Sequence, residues 1–172
     1  MTKRLAAVWL ALSLACGVVP AQDAGSVGVS FQVGDQDSVG VIWHASRVFA
    51  LRPLLTYDSL EYTSYYSPYY GSVTEHVSLY GIDLGLLFTV HSQDNLHLYT
   101  GAVLQYSRTH SDRGGDSDTR GAELLFGMRY MIVKRLGVFG EIGMQYRDGN
   151  GWADQVDYGL FTGGLGLTFY LN

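Results

Sequence analysis

The feature that most constrains the fold of this 172-residue chain is an alternation of apolar residues with small or polar ones. The segment VGVSFQV at residues 27–33 is an example. A period of two places successive side chains on opposite faces of a β-strand. The pattern recurs along the chain, interrupted by polar turns, without the 3.6-residue period of an amphipathic helix. It predicts eight strands, over about residues 26–34, 38–45, 48–62, 74–90, 95–109, 119–133, 136–147 and 157–171.

The N-terminal segment has a different character. Lys3 and Arg4 precede an apolar run that is too short to cross a membrane as a helix. Small residues at Val19-Pro20-Ala21 then match a signal-peptidase site. We therefore expect residues 1–21 to be a cleaved signal peptide and residues 22–172 to form one barrel domain. A lipoprotein signal ending at Cys16 is the weaker alternative, because Ser13 stands where such signals usually have Leu.

Charge is scarce in the rest of the chain. Only 16% of residues are charged, and Lys134 is the sole lysine after the signal peptide. The formal net charge is −5, and it becomes −7 when Lys3 and Arg4 leave with the signal peptide. An acidic chain without a basic patch argues against nucleic acid as a partner. An ordinary soluble surface carries more charge than this chain supplies.

Each predicted strand has one apolar face and one face of glycine and polar residues. A soluble lipocalin-like binding barrel would place the apolar face inside, and a membrane barrel would place it outside. Small residues suit a narrow eight-stranded interior, and aromatic residues form two bands around an aliphatic zone, so the membrane is favoured. The predicted interfacial girdle consists of Trp43, Phe49, Tyr57, Tyr80, Phe88, Tyr106, Tyr130, Tyr146 and Phe169.

The predicted connections alternate in length. Short turns follow the second, fourth and sixth strands, at Ser46-Arg47, His91–Asp94 and Lys134-Arg135. Long loops at Tyr62–Gly71, His110–Thr119 and Asp148–Val156 lie at the other end. A closed barrel satisfies every backbone polar group in lipid, which an open sheet cannot do. The sequence therefore predicts an all-β, closed antiparallel eight-stranded up-and-down transmembrane β-barrel with its long loops outside the cell.

These features together resemble the OmpA/OmpX-like outer-membrane β-barrels. The last strand, GGLGLTFYLN at residues 163–172, is similar to the C-terminal insertion signal of such barrels, although it ends in Asn172 rather than an aromatic residue. The resemblance implies a porin-like envelope protein in the outer membrane of a Gram-negative bacterium. It also implies lipid and lipopolysaccharide as surroundings, with barrel-assembly machinery and periplasmic chaperones as partners. The family has diverse functions, so the fold does not settle the role.

Charged residues also occur on the predicted interior face. We expect them to pair in the narrow lumen, because an unpaired buried charge is strongly unfavourable. The favoured interpretation is a salt-bridge plug, and a gated ion pathway is the alternative, disfavoured by the small bore of eight strands. The predicted lumen network consists of Arg52, Asp83, Glu123, Arg129 and Glu141.

Two His-x-Ser patterns, His44 to Ser46 and His76 to Ser78, resemble the His and Ser of lipid A deacylases. A catalytic triad needs a third residue that the sequence does not place, so enzymatic activity is only the weak alternative. The acidic residues Asp112, Asp116 and Asp118 could bind Ca²⁺, but their spacing is not that of an EF-hand and a solvated loop is favoured. No metal and no cofactor is expected.

The segment YTSYYSPYYG at residues 62–71 holds five tyrosines. Pro68 and Gly71 disfavour a central strand there. Tyr62 is expected in the interfacial belt. We expect a structural or surface-interaction role, in adhesion or envelope integrity, in which this loop contacts a surface protein or host ligand. The predicted aromatic loop residues are Tyr65, Tyr66, Tyr69 and Tyr70.

Overall fold

The alternating segments form eight antiparallel strands in the computed structural model, which describes residues 24–34, 37–65, 72–112, 115–150 and 156–171. The strands are β1 (Val27–Gly34), β2 (Ser38–His44), β3 (Phe49–Tyr65), β4 (Ser72–Gln93), β5 (Leu96–Ser111), β6 (Gly115–Val133), β7 (Leu136–Gly149) and β8 (Val156–Tyr170). Each strand pairs with the next, and β8 pairs with β1 to close the barrel. Among the described residues, no helix is long and apolar enough to cross a membrane.

The outer wall of the barrel is apolar. Tyr57, Ile82 and Leu165, for example, are 57%, 58% and 67% exposed. Buried polar and charged side chains, such as Arg52 and Glu141, lie on the inside. This orientation is the reverse of what a soluble lipocalin-like barrel requires, and it is the one that a lipid environment favours. The predicted fold class, a closed eight-stranded antiparallel barrel, is confirmed.

Interior glycines make room for large side chains from neighbouring strands. A Cβ atom added at Gly127 would collide with the ring of Tyr99, and one at Gly166 would collide with the ring of Phe139. The glycine-rich interior face of the sequence is therefore the complement of the aromatic rings that fill the lumen.

The strands extend further on the long-loop side than the sequence predicts. β5 continues to Ser111 and β6 begins at Gly115, so most of the predicted loop at His110–Thr119 is paired strand. In the same way, β7 continues to Gly149. The predicted boundaries were wrong there because polar composition was taken as a sign of a loop.

Cross-strand charge pairs explain how these polar segments remain in the sheet. Arg108 lies opposite Asp118, and His110 lies opposite Asp116, on neighbouring strands β5 and β6. Opposite charges that face each other across an antiparallel pair stabilise it. The alternation therefore continues above the apolar zone, with charged residues in place of apolar ones on the outer face.

The other end of the barrel has short connections at residues 45–48, 94–95 and 134–135. The predicted turn at His91–Asp94 lies slightly later than expected, because β4 continues to Gln93. Asp94 adopts a φ of 50°, which a two-residue hairpin turn needs and which aspartate tolerates better than most residues.

The barrel wall differs in height around its circumference. β1 and β2 have 8 and 7 residues, whereas β3 and β4 have 17 and 22. β2 pairs with β3 as far as Thr56, and β5 pairs with β4 as far as Val77. Beyond these residues β3 and β4 pair with each other up to Tyr65 and Ser72. We call this projection, residues 57–65 and 72–76, the β3–β4 ribbon.

Candidate functional site

The middle of the lumen is crossed by an ion pair between β3 and β7. Arg52 Nη1 lies 2.7 Å from Glu141 Oε1, and Arg52 Nη2 lies 2.8 Å from Glu141 Oε2. Tyr99 donates a hydrogen bond of 2.6 Å to Glu141 Oε1. The Arg52 guanidinium also lies 5.3 Å from the centre of the Phe139 ring. We refer to Arg52, Glu141 and Tyr99 as the central layer.

This layer joins opposite sides of the barrel, because β3 and β7 are four strands apart in an eight-stranded ring. Arg52 and Glu141 are 1% and 6% exposed. Two parallel hydrogen bonds between a guanidinium and a carboxylate are among the strongest and most directional in proteins. The pair therefore both fills the lumen and compensates two buried charges.

A second group of interior side chains lies closer to the short turns. Arg129 Nη1 donates a hydrogen bond of 2.6 Å to Tyr170 Oη and lies 3.4 Å from His44 Nε2. The Arg129 guanidinium also lies over the rings of Tyr99 and Tyr170, at 5.3 and 5.9 Å. We refer to Arg129, His44 and Tyr170 as the short-turn layer, which joins β6, β2 and β8.

A small cavity of about 50 Å³ lies beside the central layer, toward the long-loop end of the barrel. Two of its acidic lining residues, Asp83 and Glu123, accept hydrogen bonds from neutral groups. Thr56 donates to Asp83 at 3.3 Å, while Thr162 and Gln105 donate to Glu123 at 2.5 and 3.4 Å. A polar space of this size can hold water.

The five charged residues predicted for the lumen do not form one ion-pair network. Arg52 and Glu141 form an ion pair. Within the described parts of the chain, Arg129, Asp83 and Glu123 have no oppositely charged side chain within 4 Å, and neutral hydrogen-bond partners or aromatic rings surround them instead. We expected all inward charges to pair because the sequence shows that these residues share the interior face. The sequence does not show how far each of them lies from residues on other strands.

Several interior residues were not foreseen from the sequence. Tyr99 and Phe139 lie on the same strand face as His97 and Glu141, respectively, and Arg147 lines the small cavity. Strand parity alone would have placed these three residues inside. The aromatic ones were missed because aromatic side chains were assigned to the membrane interface.

The nine residues predicted for the interfacial girdle have their side chains on the outer wall. Phe49 is half-buried, and the other eight are at least 40% exposed. The rings of Phe49 and Phe88 are 5.0 Å apart, and those of Tyr57 and Tyr80 are 5.2 Å apart. Each contact joins β3 to β4, so the two aromatic bands also support cross-strand packing.

Most of the predicted aromatic loop lies outside the residues that the structure describes. Tyr65 is the last residue of β3. Tyr66, Tyr69 and Tyr70 fall outside the described residues, as does the predicted signal peptide at residues 1–21.

The first His-x-Ser pattern does not form a catalytic pair. His44 Nε2 lies 3.1 Å from Tyr170 Oη inside the barrel. Ser46 Oγ instead accepts hydrogen bonds from the backbone N–H groups of Val48 and Phe49, at 3.3 and 3.1 Å, within the turn. The second pattern lies on the β3–β4 ribbon and its base, where His76 is exposed.

The acidic residues of the β5–β6 hairpin contact cations above the aromatic band. Asp116 accepts hydrogen bonds from Arg108 and, at 2.6 Å, from His110. The hydrogen bonds from His110 and Arg108 lower the pKa of Asp116. Tyr106 donates to Asp118 at 3.1 Å. In the described ranges, no group of three or more metal-ligating side chains occurs.

No family model and no curated protein matches this sequence. Among solved structures, the fold is similar to the N-terminal β-barrel domain of Pseudomonas aeruginosa OprF, with a TM-score of 0.53 and 17% identity, covering 87% of this chain and 100% of that one. It is also similar to Acinetobacter baumannii CarO2, with a TM-score of 0.50 and 15% identity over the same shares. At these identities the likeness concerns the fold. The chain therefore has the fold of a small closed eight-stranded β-barrel, it resembles the OmpA/OmpX-like barrels in architecture, and its outer wall is of the apolar kind that a lipid environment favours.

Proposed function

We propose that this protein is a structural and surface-interaction barrel, with a lumen closed by interior side chains and the β3–β4 ribbon as its contact element. The observation that carries the proposal is the central layer. A bidentate ion pair between Arg52 and Glu141 crosses the lumen between opposite strands. Such a pair supports a rigid scaffold better than a permanently open pore.

The closed lumen can be tested by single-channel recording in planar bilayers. We expect no steady conductance from the purified barrel, and no change when Arg129 is replaced by Ala. Steady and reproducible conductance that Arg129→Ala alters would contradict the closed lumen. Heat-modifiable mobility in gel electrophoresis should accompany each recording, so that an unfolded variant is not mistaken for a closed one.

The β3–β4 ribbon supports the interaction role. Its two strands pair with each other, and the strand pairings between β2 and β3 and between β4 and β5 stop below it, followed by one backbone hydrogen bond of 3.3 Å from Asp112 to His76. Strand edges without a neighbour can accept an extended segment from another protein. The tyrosines of the adjoining segment offer large and rigid side chains with a polar hydroxyl group, which suits recognition.

If the β3–β4 ribbon and its adjoining tyrosines form a contact surface, substitutions there should weaken attachment without preventing the barrel from folding. Replacement of Tyr65, Tyr66, Tyr69 and Tyr70 by Ser should weaken attachment of cells that display the barrel to a host surface or envelope protein. The heat-modifiable form should remain. A matched control replaces Gln93 and Asn95 by Ala at the β4–β5 turn, at the opposite end of the barrel, and should leave attachment unchanged. Loss of the folded form in the tyrosine variant would make these residues structural and would reject the contact role.

The chain organisation is part of the proposal. Residues 1–21 would direct export and be removed, and residues 22–172 would form the mature barrel, inserted by the barrel-assembly machinery with periplasmic chaperones. N-terminal sequencing of the membrane-extracted protein should start at Gln22. A start at Cys16 with an attached lipid would support the lipoprotein alternative. A lipid A-modifying activity has less support, because His44 and Ser46 use their side chains in separate contacts.

A further inference from the structure

The lipid-facing wall has a depression at the junction of β6, β7, β8 and β1. Two adjoining shallow hollows, both wide open on the lipid-facing side, share Val33, Met128, Gly140 and Leu165. They form one elongated depression, which we call the wall groove. It starts beside Phe126 and continues past Gly140 to Tyr130 of the periplasmic aromatic band.

Two outward-facing glycines create the wall groove. A Cβ atom added at Gly140 would meet only Leu165 within 4 Å, and one at Gly163 would meet only the backbone oxygen of Glu141. The interior glycines differ, since Gly127 and Gly166 are covered by aromatic rings. Gly163 therefore leaves open space on the outer wall, and at Gly140 only the Leu165 side chain lies close, where a Cβ atom would be 3.2 Å from it.

The lining of the wall groove is apolar. Ile142, Met128 and Leu165 are 62%, 49% and 67% exposed around it. Glu141 borders the groove, but its carboxylate is directed to Arg52 inside the barrel. The groove is continuous with the apolar wall that contacts hydrocarbon. From Phe126 to Tyr130 it covers five residues of a tilted strand, or about 10 Å of membrane depth, less than half of the ~25 Å apolar band.

Two cations lie beyond the periplasmic end of the wall groove. Lys134 and Arg135 form the exposed turn that joins β6 to β7, the two strands on one side of the groove. No carboxylate among the described residues forms an ion pair with either side chain, including that of Asp94 in the neighbouring β4–β5 turn. Adjacent cations just outside an apolar wall attract the anionic headgroups of membrane lipids.

From these two features we propose that the barrel binds a single anionic glycerophospholipid of the periplasmic leaflet, with an acyl chain in the wall groove and its phosphate at Lys134 and Arg135. A flexible chain fits an elongated hollow, whereas a second barrel presents a convex wall that touches along a ridge. The headgroup site lies at the end of the groove that reaches the aromatic band at Tyr130. The depth of the groove corresponds to one leaflet.

Native mass spectrometry of the detergent-extracted barrel, supplied with phosphatidylglycerol or phosphatidylethanolamine, tests the proposal. We expect one phosphatidylglycerol to be retained in preference to phosphatidylethanolamine. Gly140→Leu combined with Gly163→Leu should abolish retention, and Ala102→Leu on the outer face of β5 should not. Lys134→Gln and Arg135→Gln should each weaken phosphatidylglycerol retention about fivefold, because that is the contribution expected of one cation near an anionic surface. Arg47→Gln, in a different periplasmic turn, should leave it unchanged.

Three results would overturn the proposal. Equal retention by the wild type and the double leucine variant would show that lipid does not occupy the groove. Equal retention of the two phospholipids, unaffected by Lys134→Gln, would remove the headgroup site. A dimer that disappears in the double leucine variant would assign the groove to a second copy of the chain. The turn variants leave the strands intact, so they test the headgroup site even if the leucine variants fold poorly.

Discussion

The central and short-turn layers each bury an arginine, yet they compensate its charge in different ways. Arg52 is bound by the two oxygens of Glu141. Arg129 lies between the rings of Tyr99 and Tyr170, with Tyr170 Oη as its closest hydrogen-bond partner. The two arginines are 1% and 4% exposed, so the difference does not arise from solvent.

The contrast shows that a buried cation in this lumen need not have a carboxylate at contact distance. The negative face of an aromatic ring attracts a guanidinium, and the attraction is stronger where water is excluded. The central layer, however, contains two charges that depend on each other. Removing one of them leaves the other buried, whereas removing Arg129 leaves only neutral groups nearby. The two layers should therefore respond differently to substitution.

The largest effect is expected for Arg52→Met. It leaves Glu141 buried without its ion-pair partner, which destabilises proteins by about 3–5 kcal/mol. Urea unfolding of the barrel in lipid vesicles would measure the free energy of unfolding. Arg120→Met, at an exposed position on β6, is the matched control and should change it little.

Adding Glu141→Leu to Arg52→Met should restore much of the lost stability, because it removes the unpaired carboxylate. Recovery would assign the loss to the isolated charge. No recovery would mean that the arginine side chain acts mainly by filling space, and the proposed difference between the layers would then fail.

Arg129→Met is expected to have a smaller effect, about 1–2 kcal/mol, from the lost ring contacts and the hydrogen bond to Tyr170. The same urea titration measures it. A loss as large as that of Arg52→Met would show that Arg129 compensates the charge of Glu141 from a distance, and that the two layers form one electrostatic unit.

The sequence was sufficient to predict the fold, because the alternation of side chains between the two faces of a strand can be read from neighbouring residues. Alternation determined the strand faces. The polar face was too rich in glycine and too poor in charge for a wet exterior, and the apolar face carried two aromatic bands, so a membrane barrel was predicted. The interior contacts depend on which strands face each other across the lumen. Arg52 and Glu141 are 89 positions apart, and no local pattern sets their distance.

The same limit explains the strand ends and the second layer. Polar residues at His110 and Asp116 indicated a loop, but they are paired across β5 and β6. Tyr170 belongs to the interior by parity, while its neighbour Phe169 is 48% exposed outside. A shift of one residue along the strand moves an aromatic side chain from the membrane-facing wall into the lumen. Residue type alone therefore could not assign these aromatic residues to one face or the other.

Removal of single hydroxyl groups should distinguish the layers more finely. Tyr170→Phe removes the oxygen that accepts the shortest hydrogen bond of Arg129 and leaves His44 at 3.4 Å, so we expect a loss of about 2 kcal/mol. Tyr99→Phe leaves Glu141 with both bonds from Arg52 and should cost about 1 kcal/mol. The reverse order in urea unfolding would indicate that Glu141, rather than Arg129, is the less well compensated charge.

The smallest effect is expected for Asp116→Asn. This substitution removes the carboxylate of an exposed ion pair, which can be compared with the buried pair of Arg52 and Glu141. Asp116 contacts Arg108 and His110 in water, where an ion pair contributes little. Because these contacts lower the pKa of Asp116, their contribution is present above the ordinary aspartate pKa and is lost as the pH falls through the lowered value. Hydrogen exchange of the β5–β6 hairpin should therefore be slightly faster in Asp116→Asn at neutral pH and equal to wild type in strong acid. An effect as large as that of Arg52→Met would mean that burial does not set the strength of the ion pairs in this barrel.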